Sequence, residues 1–96
     1  MTTKQLLIQK KDEIKQIAVK HGANNVRMFG SVARGEDTAQ SDIDLLVDVG
    51  SATSSWFPAG LISDLEDLLG KRVEVVTEKA LYKGIRDTVL SEAKPL

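Results

Sequence analysis

The chain has 96 residues, 42% hydrophobic and 28% charged, with a net charge of −1 and no cysteine. That length predicts one domain over residues 1–96, and the missing thiols exclude disulfide scaffolds, thiolate zinc sites and cysteine nucleophiles. A single histidine, His21, excludes histidine-rich metal centres. No apolar run is long enough to cross a membrane and the start lacks a secretory signal, so a cytoplasmic location is expected.

In chain order, Leu7, Ile14, Ile17, Ala18 and His21 recur at helical spacing and predict one amphipathic helix over Lys4–Lys20. Gly22 suits its left-handed C-terminal cap. Val26–Phe29 reads as a short strand that stops at Gly30-Ser31, and Ser31 suits the N-cap of a short helix up to Glu36. Asp42–Val49 predicts a second, longer strand, and residues 50–55 a small polar loop. Phe57, Leu61, Leu65, Leu68 and Leu69 mark a helix closed by Gly70, with Trp56-Phe57-Pro58 as the lip of that helix or an interface anchor. Val73–Val76 is a third strand. Leu81, Ile85, Val89 and Leu90 mark a last helix, with Thr77 as a cap and Pro95 beyond its end. The order predicts an α+β fold with α/β-like alternation: a small mixed β-sheet with helices packed on it.

The near-zero charge conceals a segregation. Residues 1–34 carry a net +5, residues 35–70 a net −8 without one basic side chain, and residues 71–96 a net +2. Within the acidic stretch, Asp42 and Asp44 fall two apart on a strand, so both carboxylates project from one face while Ile43, Leu45 and Val47 line the other. Two carboxylates so close repel unless a cation sits between them, and a hard divalent ion such as Mg²⁺ prefers such oxygen ligands. An isolated D-x-D also terminates many ordinary strands. Glu74 alternates with Val73 and Val75 in an otherwise apolar strand, which suggests a buried carboxylate unless that strand is an edge. It can approach the aspartates if the second and third strands are neighbours.

Gly30-Ser31, where a strand gives way to a helix, offers backbone N–H groups and a hydroxyl to phosphate oxygens. Arg34 lies beside it to balance phosphate charge, with Lys20 and Arg27 as further candidates. Each feature alone is weak. Together they form G-S-x10-D-x-D at a strand–turn–helix–strand, with a carboxylate on the next strand.

Gly30-Ser31-Val32-Ala33-Arg34-Gly35-Glu36, then Ser41–Asp48, resembles the nucleotidyltransferase superfamily that includes DNA polymerase beta. The small size is similar to the minimal, stand-alone type encoded beside HEPN-domain proteins in prokaryotic toxin–antitoxin pairs. The resemblance extends through Leu68–Thr77 and the final helix. It implies the nucleotidyltransferase core fold, nucleotide phosphates on Gly30, Ser31 and Arg34, and Mg²⁺ on Asp42, Asp44 and Glu74. Here the sequence departs from the family pattern, which has Asp where this chain has Glu74, one methylene longer.

The resemblance further implies transfer of a nucleoside monophosphate, AMP from the NTP substrate ATP, with two Mg²⁺ ions clamping the attacking and leaving oxygens. The acceptor expected from it is a hydroxyl, plausibly of Tyr, on a HEPN-domain toxin that this chain would restrain as antitoxin. With 96 residues, no room is expected for an acceptor-binding domain, so another molecule or a second subunit would bring the acceptor. An alternative from another class is a binding module, with transfer weak or lost because of Glu74, that neutralises its partner by contact alone. An RNA or small-molecule acceptor ranks last: net charge −1 and the lack of an aromatic-basic pattern argue against nucleic acid. Nucleobase preference, the acceptor residue and any homo-oligomer are left open by the sequence.

Overall fold

The computed structural model describes residues 1–50 and 56–96. Apart from Gly50, the expected polar loop lies outside the described residues.

The N-terminal segment forms two helices, α1 (Thr3–Gln9) and α2 (Lys11–Lys20), instead of the single one expected. Thr2 fixes the start of α1 through a reciprocal capping box with Gln5. The bend falls at Lys10, where no Gly or Pro announces it, and two backbone hydrogen bonds meet there: Lys10 N–H donates to Leu6 O and Ile14 N–H to Lys10 O. Leu7 and Ile14 are both fully buried, one on each side of the bend. Gly22, at φ 81°, then leaves α2 in the left-handed region as its sequence position suggests.

Four strands build one mixed sheet in the order β3-β2-β1-β4. They are β1 (Ala23–Phe29), β2 (Ile43–Val49), β3 (Val73–Thr77) and a two-residue β4 (Lys94–Pro95). β1 runs antiparallel to β2 and β4, whereas β2 and β3 are parallel. The parallel pair needs a crossover, and α4 (Ala59–Leu69) supplies it. β4 was not foreseen: Pro95 lacks an N–H and sits where a proline is tolerated, on an edge. Thr77 does not cap the last helix. It accepts from Ala80 N and closes a 3-10 turn (Glu78–Ala80), after which α5 runs from Lys83 to Glu92.

The hydrophobic core lies on one face of the sheet. Ile43, Leu45 and Val47 of β2 and Val73 and Val75 of β3 meet Ile14 and Ala18 of α2 and Leu61, Leu65 and Leu69 of α4. Strand alternation therefore sends Asp44, Leu46 and Asp48 to the other face. On that face Arg27 is buried at 9% exposure. Its guanidinium donates to Asp48 Oδ1 and Glu78 Oε1, each at 2.8 Å, and its Nε to Asn25 O. Phe57 packs against the core as the lip of α4, while the neighbouring Trp56 is 79% exposed. Among the described residues no helix is long and apolar enough to cross a membrane.

Leu65 is 1% exposed. Leu65→Ala should cost roughly 2–5 kcal/mol of unfolding free energy in urea titration. Val19→Ala, at a position 67% exposed, should stay within about 0.5 kcal/mol.

Candidate active site

The short helix α3 (Gly30–Arg34) begins directly at the end of β1. Its cap is Phe29, without a side-chain bond, so Ser31 is the second helical residue and not the N-cap expected. The N–H groups of the first turn, Gly30 and Ser31 included, have no acceptors within the helix. Gly30 has φ 71°, a conformation other residues adopt only with strain. It also lies against the β2 carboxylate: a Cβ there would overlap Asp44 Oδ2 and stand 3.2 Å from Asp44 Cγ. The antiparallel register that pairs Phe29 with Asp44 creates this close approach.

The parallel register pairs Asp44 with Glu74, and Ile43 N–H donates to Arg72 O at 2.9 Å just before it. Glu74 thus stands beside the aspartates, as it would if the strands were neighbours. It is not buried, however: β3 is an edge strand and Glu74 is exposed. The edge position selects the exposed alternative that the alternation leaves open.

Burial raises the Asp44 carboxyl to about 6; the charges of Glu74 and Asp42 push the same way, and Arg34 opposes them. Asp42 carries a different sign of the same crowding. Its Oδ1 is buried and accepts no hydrogen bond, although Arg72 Nε makes an ion pair with it at 3.0 Å. A buried oxygen without a hydrogen bond, beside a carboxyl raised by burial and by two like charges, is an arrangement that a divalent cation would relieve. The hard oxygen donors therefore suit a divalent ion, although among the described residues no three acidic or histidine side chains already gather round one point.

Of the candidate phosphate partners, only Arg34 belongs to this region. Its Nη1 donates to Glu92 Oε1 at 2.7 Å and its Nε to Glu36 Oε1 at 3.1 Å. The hydrogen bond and charge of Glu92 hold the guanidinium above its usual range. Arg27 is locked by Asp48 and Glu78. Lys20 stands 4.0 Å from Asp64, which also meets His21 Nε2 at 2.7 Å and holds α2 to α4. Sequence reasoning assigned no role to Arg72, because its place beside Asp42 follows from the β2–β3 register alone.

A left-handed glycine at a strand–helix turn thus lies against Asp44 of an acidic pair on a mixed sheet. The nucleotidyltransferase domain matches residues 7–96, and the chain belongs to that family. It is 40% identical over 83 residues to a Methanocaldococcus jannaschii protein named "Putative protein adenylyltransferase", covering 86% of this chain and 89% of the relative. It is also 40% identical over 78 residues to the protein adenylyltransferase MntA of Thermococcus cleftensis, covering 81% and 79%. Among solved structures, a "putative minimal nucleotidyltransferase" superposes with a TM-score of 0.87 at 42% identity, covering 100% of this chain and 97% of the other. A toxin–antitoxin structure with AMP-PNP shares the fold, with a TM-score of 0.74 at 20% identity over 88% of this chain and 70% of that one. The class is thus a nucleotidyltransferase.

Two outcomes follow from the geometry. Gly30→Ala must relieve both a positive φ and an overlap with Asp44, so it should lower stability by roughly 1–3 kcal/mol in urea unfolding. The raised Asp44 carboxyl makes the folded state bind more protons than the unfolded chain between pH 4 and 6, so the stability it contributes is lost as pH rises through that window. Without divalent cation, Asp44→Asn should therefore stabilise the protein by about 1–2 kcal/mol at pH 7.5, discounted for partial exposure, and by little near pH 4. Urea titrations of both proteins at the two pH values measure the difference.

Proposed function

We propose that this nucleotidyltransferase transfers AMP from ATP to a hydroxyl side chain of a partner protein, with Mg²⁺, and so acts as the antitoxin of a HEPN-domain toxin. The observation that carries the chemistry is the contact of Gly30 with Asp44, which sets a turn of free N–H groups beside an acidic pair. The choice of a protein acceptor rests on the relatives' names, and the toxin pairing on the MntA relative and the toxin–antitoxin neighbour.

In this reading Gly30, Ser31 and Arg34 hold the triphosphate, and Asp42, Asp44 and Glu74 are the ligands of the divalent ions. Bound Mg²⁺ would supply charge neutralisation at the attacking and leaving oxygens. Glu74, exposed on the edge strand, would complete the ligand set by turning its side chain. The acceptor hydroxyl oxygen attacks the α-phosphorus of ATP, and the bond to the β-phosphate oxygen breaks. Pyrophosphate departs with the electron pair, while a site carboxylate takes the hydroxyl proton. Arg34 would release Glu36 or Glu92 to meet the phosphates, and both partners are near enough to recover it afterwards.

A second reading keeps the partner and removes the reaction: the chain neutralises the toxin by contact. Trp56, 79% exposed beside a core-packed Phe57, favours it as an interface anchor.

Incubation with Mg²⁺, labelled ATP and the protein encoded by the neighbouring gene separates the two. The partner should gain the mass of AMP, and chelation of Mg²⁺ should abolish the gain. Because loss of groups that merely orient metal ligands costs 10–100-fold, Asp42→Ala and Asp44→Ala should each lower the rate by about 100-fold or more. Tight complex formation without any mass gain would favour neutralisation by contact.

A further inference from the structure

On the side of the acidic pair away from Gly30 lies a feature without an assigned role. The two registers fix the layout: β1 brings Gly30 against Asp44 from one side, and β3 brings Arg72 and Glu74 alongside Asp42 and Asp44 from the other. Past Arg72 the surface opens into a cleft of about 340 Å³, bounded by Ala39, Gln40 and Ser41 on one wall and Gly70, Lys71 and Arg72 on the other. Gly70 ends α4 in the left-handed conformation and turns the chain so that both cations reach this wall.

The charges there are opposite to the surroundings. The lining holds two cations and no carboxylate, beside the segment that carries a net −8. Arg72 is 78% exposed along its side chain and shared with Asp42 at 3.0 Å. Lys71 makes no ion pair among the described residues. Arg34 meets the acidic pair from the α3 side, and on the β3 side Lys71 and Arg72 in this cleft offer positive charge to an anionic group. Opposite charges that meet in only one register select a partner and orient it.

In-line displacement places the attacking and leaving oxygens on opposite sides of the phosphorus. With the departing phosphates at Gly30-Ser31, the acceptor approaches from the β3 side, past the cleft. We propose that this cleft is an acceptor-docking site for an acidic peptide segment: Lys71 and Arg72 bind Asp or Glu side chains next to the hydroxyl that receives AMP. The inference rests on the transferase reading for its direction of approach, and on the charge and shape of the cleft for its chemistry.

The test uses two labelled tyrosyl peptides, identical except that Glu flanks the tyrosine in one and Gln in the other, with binding to the full chain followed by fluorescence anisotropy. The Glu peptide should bind roughly tenfold more tightly, and added salt should erode the difference. Lys71→Glu and Arg72→Glu should each abolish the preference, whereas Lys15→Glu, on the exposed side of α2, should keep it. Equal affinities, a preference that survives Lys71→Glu, or a short oligoribonucleotide displacing the Glu peptide through the same two residues would overturn the proposal. AMP transfer to the two peptides with Mg²⁺ and ATP is measured in parallel. A binding preference without transfer to either peptide leaves the cleft standing and removes the transferase reading. Equal binding with transfer to both does the reverse.

Discussion

The contact between Gly30 and the Asp44 carboxylate constrains the rest of the site. It requires a residue without a side chain in a left-handed conformation at the moment β1 becomes α3. It also requires β1 and β2 to pair in one register, Phe29 opposite Asp44. A one-residue slip would turn Asp44 into the core and Leu45 out of it. The fully buried Ile43, Leu45 and Val47 oppose any such slip, so the apolar face of β2 holds the polar face in place.

The polar face is costly to keep. Asp44 is raised by burial and by two like charges, and a buried oxygen of Asp42 lacks a hydrogen bond. Elsewhere on the same face, comparable groups are satisfied: Asp48 and Glu78 both bind the Arg27 guanidinium at 2.8 Å. The contrast separates a closed structural ion cluster from an open acidic one. An open cluster that the fold tolerates is a candidate for a bound ion and substrate.

Much of this was legible in the sequence because it depends on local rules. Period-two alternation placed Asp42 and Asp44 together, and Gly22 and Gly70 marked helix ends correctly. What escaped depends on pairing between distant segments. The parallel β2–β3 register puts Arg72 beside Asp42 and Glu74 beside Asp44, and no periodicity encodes it. The valines beside Glu74 leave a buried carboxylate and an edge strand both open, and the β3 edge position decides for water. The bend at Lys10 and the two-residue β4 lack a local signal, since neither breaks the hydrophobic pattern. Arg27 is a candidate phosphate partner by charge alone, and only the fold reveals Asp48 and Glu78 holding it.

In the proposed reading Gly30-Ser31 and the Asp42–Asp44 pair form one site for nucleotide phosphate and divalent cation. The most direct measurement follows the Asp44 side-chain carboxyl by NMR across pH, first in the bare protein and then with Mg²⁺ and ATP. The bare protein should titrate at about 6. Bound cation should hold the carboxylate ionised to well below its ordinary value, about 3.9. An Asp44 titration that Mg²⁺ and ATP leave unchanged would mean that the acidic pair holds no cation there.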